Sequence, residues 1–258
     1  MQATINGIRM NYEVTGTESA PPIVLHHPLA TSLSIWDELT AALVPRYRVV
    51  RFDARGHGKT EATKGAYSFE TLTADTIGLM DHLRIERAHF LGLSMGGMVG
   101  QWLGANAPHR VERLILSNTN FHYADKGPWN DRIKFVREKG LAALVDPNME
   151  RWFTAGFRAR APQAIARMKE MFLATDPAGY IASSEAVRDM DFTASNPRIG
   201  APTLVIVGKQ DPATPPSAGE AIVRQIKGAK LAALDAAHIS NIEQPQLYTE
   251  TVLNFLRG

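Results

Sequence analysis

The sequence predicts an α/β domain with a mostly parallel sheet, an antiparallel N-terminal hairpin and an inserted block of helices. Three observations carry this. Short apolar, strand-like runs alternate with segments of helical apolar spacing up to about residue 120. The alternation stops over residues 121–195 and resumes after Pro197. Asn6-Gly7 separates two short strand-like runs near the N-terminus, the strongest short-range signal for a hairpin. The core is accordingly assigned to residues 1–120 and 196–258, and a helical lid to residues 121–195.

Ala3–Ile5 and Ile8–Val14 read as the hairpin strands, and Ile23–Leu25 as a buried strand running into His26-His27-Pro28-Leu29-Ala30. Ile35–Leu43 has helical spacing. Tyr47–Phe52 is a strand ending in Asp53-Ala54-Arg55-Gly56-His57-Gly58, which reads as a tight turn pinned by Asp53 and Arg55. No helix with Lys-Ser/Thr opens after that turn, so it is not a phosphate loop. Ser68 is placed to cap a helix running to Leu83. Ala88–Leu91, the Ser94 turn, a helix to Pro108 and the strand Val111–Leu116 follow. In the inserted block, helices are expected at Asn130–Lys139, Met149–Ala159, Pro162–Thr175 and Tyr180–Met190. Ten of the chain's twenty aromatic residues fall there, as expected for a lid over the carboxyl ends of the strands, where open α/β sheets bind ligands. The strand Thr203–Val207, helix Ala218–Ile226, strand Lys230–Leu234 and helix Gln246–Leu256 close the chain.

Composition narrows the function classes. Hydrophobic residues make up 45% and charged residues 21%, with a formal net charge of +2, so the chain is globular and lacks the basic runs that bind nucleic acid. The absence of cysteine excludes disulfides, thiolate metal sites and cysteine nucleophiles. No apolar stretch is long enough to span a membrane, and the N-terminus lacks the charged and apolar regions of a signal peptide, so the expected location is the cytoplasm.

The chemistry centres on Gly92-Leu93-Ser94-Met95-Gly96-Gly97. A serine at a strand-to-helix corner is held in a strained conformation that needs neighbouring glycines, and its hydroxyl projects at the positive end of a new helix. A glycine-rich turn with an incidental serine is the plainer alternative. Serine needs a histidine base and an acid to orient it, in the order Ser, Asp or Glu, His. Of the downstream histidines, His109 ends a helix and His122 begins the lid, whereas His238 lies in a loop directly after a strand. Asp211, just past the strand Thr203–Val207, is the candidate acid, and Asp235 reads as a turn residue. Ser94, Asp211 and His238 are thus the candidate triad. The backbone N–H groups of Met95 and Leu29 are the candidate oxyanion hole, since Pro28 cannot donate. His26 and His27 point to opposite strand faces and are expected to brace the loop, not to share a metal ion. Trp129 and Trp152 are lid candidates for substrate contact. A carboxylate-bearing substrate would need a cationic pocket, and the sequence does not select among Arg132, Arg137, Arg151, Arg158, Arg160, Arg167 and Arg188.

Together these residues resemble the α/β-hydrolase superfamily over essentially the whole chain. Within it the sequence is most similar to 3-oxoadipate enol-lactonases (β-ketoadipate enol-lactone hydrolases). The specific strings are Gly208-Lys209-Gln210-Asp211-Pro212-Ala213-Thr214-Pro215-Pro216, Ala237-His238-Ile239-Ser240-Asn241-Ile242-Glu243-Gln244-Pro245, and Thr175-Asp176-Pro177-Ala178-Gly179-Tyr180. Many members carry Asn-Ser-Leu-Gly where this chain has His27-Pro28-Leu29-Ala30. The resemblance implies a bacterial enzyme of aromatic-acid degradation that opens a small enol lactone through an acyl-enzyme. It would need no cofactor and no metal. Its partner would be a small-molecule ester or lactone, with no nucleic acid or membrane, and a homo-oligomer is left open. Three other functions fit the same constellation: a carboxylesterase or a lactonase for another ring such as an acyl-homoserine lactone, a cofactor-free perhydrolase of the haloperoxidase kind, and a ligand receptor without turnover.

Overall fold

The computed structural model describes all 258 residues. The chain opens with β1 (Gln2–Ile5) and β2 (Ile8–Thr15), then β3 (Pro22–His26), α1 (Asp37–Leu43) and β4 (Arg48–Phe52). α2 (Phe69–His82), β5 (Ala88–Leu93), α3 (Met95–Asn106) and β6 (Val111–Ser117) complete the first part. Five helices follow: α4 (Gly127–Lys139), α5 (Val145–Trp152), α6 (Ala155–Arg160), α7 (Pro162–Leu173) and α8 (Pro177–Asp189). The core resumes with β7 (Thr203–Gly208), α9 (Pro216–Gln225), β8 (Lys230–Leu234), α10 (Ser240–Glu243) and α11 (Pro245–Arg257).

The eight strands form one sheet in the order β1-β2-β4-β3-β5-β6-β7-β8. β1 and β2 pair antiparallel, as do β2 and β4, and every other pair is parallel. β3, β5 and β7 read as almost unbroken apolar runs and are buried along their length, because helices cover both faces of a parallel sheet. Asn6 and Gly7 take φ values of 47° and 78°, as a two-residue hairpin turn requires. Ser68 caps α2, its hydroxyl accepting from the Thr71 N–H at 3.1 Å.

One expected helix is two. The stretch Met149–Ala159 breaks at Phe153, which is extended (φ −134°, ψ 142°), and Thr154 caps the new helix α6 by accepting from the Phe157 N–H. Apolar periodicity runs on through the break, so it gives no sign of it. The cap is backed by a long-range partner, since Glu243 accepts from both the N–H and the hydroxyl of Thr154. The region expected as Ile35–Leu43 begins as a 3-10 turn at Leu33–Trp36 before α1.

The turn after β4 is pinned as its residues suggest. The buried Asp53 carboxylate accepts from Leu33 N–H, Lys59 N–H and the Asn11 side chain at 2.8–2.9 Å. Arg55 makes two bonds to the buried carboxylate of Asp75 on α2, at 2.7 and 2.8 Å. This turn also receives the helical insertion. Gly56, at φ 73°, lies so close to Gly179 that a Cβ on it would stand 2.5 Å from the Gly179 Cα, and its carbonyl accepts from the Asp176 N–H.

Gly56→Ala should therefore cost roughly 2–4 kcal/mol of stability, from left-handed strain plus overpacking at the seam. The denaturant midpoint measures it; an unchanged midpoint would show that this seam does not join insertion to core.

Candidate active site

β5 delivers Ser94 to the carboxyl edge of the sheet, and α3 starts at the next residue. Ser94 has φ 55° and ψ −114°, a conformation that a serine adopts only when its surroundings impose it. The Ser94 N–H donates to Ser117 O at 2.9 Å, and its carbonyl accepts from the Thr119 hydroxyl at 2.8 Å. Gly96 is required because a Cβ there would stand 2.2 Å from the His26 carbonyl oxygen. The corner is thus packed directly against the end of β3, which continues into the His27–Ala30 loop.

The His238 Nε2 stands 3.0 Å from the Ser94 hydroxyl oxygen, and His238 Nδ1 stands 2.8 Å from Asp211 Oδ2. Both His238 and Asp211 are buried. An ionised Asp211 fixes the histidine tautomer: Nδ1–H donates to the carboxylate, and Nε2 accepts from the serine hydroxyl. Asp211 also accepts from Ala213 N–H (2.8 Å), Thr214 N–H (3.0 Å), the Thr214 hydroxyl (2.7 Å) and Asn118 Nδ2 (3.1 Å). Burial alone would raise its pKa, but the His238 charge and these donors hold it below the usual carboxylate value. Asp235 is elsewhere, accepting from the Gln210 side chain at 2.8 Å. His109 lies in a 3-10 turn after α3, and His122 bridges to Asp191.

Leu29 and Met95 both border the cavity that holds Ser94 and His238. As the first residue of α3, Met95 has an N–H with no partner within the helix. His27 braces the preceding loop, its Nε2 accepting from Ala54 N–H at 2.8 Å. His26 Nδ1–H donates to the His27 carbonyl, and His57 Nδ1–H to the Arg55 carbonyl, each at 3.0 Å.

The cavity has a volume of about 190 Å³ and is capped by the helical insertion. Trp129, Trp152, Tyr123 and Tyr180 contribute aromatic walls. Burial pushes the Tyr123 phenol up to about 12, so it stays neutral. Of the seven candidate arginines only Arg132 and Arg151 reach this cavity. Arg132 is held by the Tyr180 hydroxyl and by Asn148 Oδ1, both neutral acceptors. Arg151 has no carboxylate partner, and burial together with the nearby Arg132 charge lowers its pKa. The other five lie away from the cavity: Arg137, Arg158, Arg167 and Arg188 pair with surface carboxylates, and Arg160 stacks on Phe157.

Two supporting residues carry no obvious motif. Asn118, at φ 42° just past β6, bridges Asp211 to the Ala237 carbonyl. Buried Glu243 accepts from Ala237 N–H at 3.1 Å while holding Thr154, and Ile239 N–H donates to the Trp152 carbonyl at 3.1 Å. The residues on both sides of His238, Ala237 and Ile239, are thereby tied to the α5–α6 break. A polar residue just past a core strand was a usable signal for Asn118; for Glu243 there was none beyond its place in the His238 string.

The model of the α/β-hydrolase fold matches residues 21–245. The chain belongs to the α/β-hydrolase family. It is 35% identical to 3-oxoadipate enol-lactonase 2 of Acinetobacter baylyi, over 96% of this chain and 93% of that one. The crystal structure of the enol-lactonase from Burkholderia xenovorans LB400 superposes with a TM-score of 0.98 at 42% identity, covering all of both chains. A thermophilic esterase from Thermogutta terrifontis, solved with malate bound, superposes with a TM-score of 0.92 at 27% identity over 100% of this chain and 97% of that one. The chain's likeness to enol-lactonases makes it a hydrolase of ester or lactone bonds. No helix is long and apolar enough to cross a membrane.

Burial holds the His26 and His57 pKa values at about 4, against about 6.5 in an unfolded chain. Between those values the unfolded chain binds more protons, so stability is full above about pH 6.5 and falls as pH drops toward 4. The urea midpoint should accordingly be lower at pH 5 than at pH 7; a midpoint that rises on acidification would contradict the buried, neutral state of these rings.

Proposed function

We propose that this hydrolase opens a compact enol lactone that carries a carboxylate, with 3-oxoadipate enol-lactone as the substrate that its relatives' names suggest, in bacterial aromatic-acid breakdown. The observation that carries this reading is the charge of the cavity. Two guanidiniums, Arg132 and Arg151, face a space with one lining carboxylate, Asp125, which accepts from Gly127 N–H and forms an ion pair with neither of them. Like charges brought together without counter-ions favour an anionic ligand, and a guanidinium pairs well with a carboxylate. The volume of about 190 Å³ is small beside ligand pockets of roughly 300–1,000 Å³, which favours a compact ring over a long acyl chain.

In this mechanism Ser94 Oγ attacks the ring carbonyl while His238 Nε2 takes its proton. Asp211 stabilises the imidazolium that forms. The N–H groups of Leu29 and Met95 receive the negative oxygen of the tetrahedral intermediate. Collapse breaks the ring C–O bond, and His238 returns its proton to the departing enol oxygen. Because the leaving group is an enol, it ketonises after release, which opposes reclosure of the ring. Water, deprotonated by His238, then adds to the acyl-enzyme and frees Ser94. Arg132, pre-positioned by Tyr180 and Asn148, and Arg151 bind the remote carboxylate, and that binding energy positions the reacting carbonyl.

Ser94→Ala should retain the fold and lower kcat by about 10⁴–10⁶. Turnover within tenfold of the parent would remove Ser94 from the mechanism. The carboxylate is tested by comparing the enol lactone acid with its methyl ester. Arg151→Met should lower kcat/KM for the acid by roughly ten- to hundredfold and change the methyl ester little. Equal losses for both would argue against a carboxylate site at Arg151. Among p-nitrophenyl esters from acetate to decanoate, the rate should peak at the short end.

A further inference from the structure

The loop that offers the Leu29 N–H is built around a single peptide group. The Pro28–Leu29 bond is trans, like every peptide bond in the chain, so its C=O and N–H point in opposite directions. Leu29 borders the Ser94 cavity, and no protein group accepts from its N–H. The C=O end points into the core and accepts twice, from His27 Nδ1–H at 2.8 Å and from the Thr31 hydroxyl at 2.8 Å. Both donors are fully buried.

The tautomer of His27 is set by its other nitrogen. Nε2 accepts from the Ala54 N–H at 2.8 Å, so the ring proton sits on Nδ1, facing Pro28. Burial, with His57 and His26 close by, keeps the ring neutral and preserves this arrangement. The next residue, Ala30, is held at φ 60°, a left-handed conformation disfavoured for alanine. A loop containing such a residue would relax if nothing held it. A flip of the Pro28–Leu29 peptide would turn the N–H away from the cavity and aim a carbonyl oxygen at it. That flip would strip two buried donors of their acceptor at once.

We propose that His27 and Thr31 are positioning residues that clamp the Pro28 carbonyl and so aim the Leu29 N–H at the oxygen that becomes negative on Ser94. The proposal rests on the reading of Leu29 N–H as an oxyanion donor, and the experiment separates the two. Pro28-Leu29 is the one Pro-Leu pair in the sequence, so labelling proline with ¹³C at the carbonyl and leucine with ¹⁵N gives a single HNCO cross-peak, that of the Leu29 amide. A small trifluoromethyl ketone that adds to Ser94 supplies a stable negative oxygen.

In the parent protein the Leu29 amide proton should move downfield on forming the adduct. In Thr31→Val and in His27→Gln the shift should shrink by half or more. For these variants kcat should fall roughly ten- to hundredfold with KM within about twofold, as for partial loss of an oxyanion donor. Thr31→Ser, which keeps the hydroxyl, should restore both the shift and kcat. If the amide does not move in the parent protein, Leu29 is not an oxyanion donor and the clamp has no role. If it moves equally in the parent protein and in folded Thr31→Val, the donor reading stands and the clamp is overturned. Thr31→Val removes one hydroxyl without changing shape, so it carries the test should His27→Gln fail to fold.

Discussion

Ser94 at φ 55° is the constraint on which the rest of the site depends. A strand that turns into a helix within one residue leaves no room for a Cβ two positions away on either side, at Gly92 and Gly96, and α3 lies against the end of β3 through Gly96 and the His26 carbonyl. That contact fixes the distance between the serine and the His27–Ala30 loop. The strain is held by bonds to both main-chain groups of the serine: its N–H donates to Ser117 O at the end of β6, and its C=O accepts from the Thr119 hydroxyl two residues past that strand. The corner therefore stands on the central strands β3, β5 and β6.

The proposed base and acid come from the next two strands on the same edge. Asp211 follows β7 and His238 follows β8, so sheet order converts a separation of 27 residues into a 2.8 Å contact. Five donors on one buried carboxylate leave it little freedom, and Asn118 joins it to the peptide just before His238. Positional precision here comes from fixed dipoles already in place, which need no rearrangement as charge develops.

The helical insertion is more than a cover. The same break between α5 and α6 that carries Trp152 into the cavity wall also holds the residues flanking His238, Ile239 through the Trp152 carbonyl and Ala237 through Glu243, which Thr154 also contacts. Arg151 precedes that break by two residues. Arg151, proposed to bind the substrate, and the histidine proposed to act on it are thus anchored to one short segment. The Gly56–Gly179 contact fixes the insertion to the core at a second point, on the turn that Asp53 and Arg55 hold.

The sequence by itself determined what depends on neighbours along the chain. Apolar periodicity placed the strands and most helices, Asn6-Gly7 set the hairpin, and the glycines around Ser94 marked the corner, since each reflects a local steric rule. Ser94, Asp211 and His238 were legible as candidates because each follows a strand-like run, in the chain order that this architecture uses. Tertiary structure alone decided what depends on residues far apart in sequence. It split the Met149–Ala159 helix, because the cap at Thr154 is completed by Glu243, 89 residues later. It separated Arg132 and Arg151 from five other lid arginines that are alike in sequence terms, because only packing determines which cations meet a surface carboxylate and which meet a cavity. It brought His27 and Thr31 together on one carbonyl, a contact that follows from how the loop after β3 folds back on itself and that no residue spacing announces.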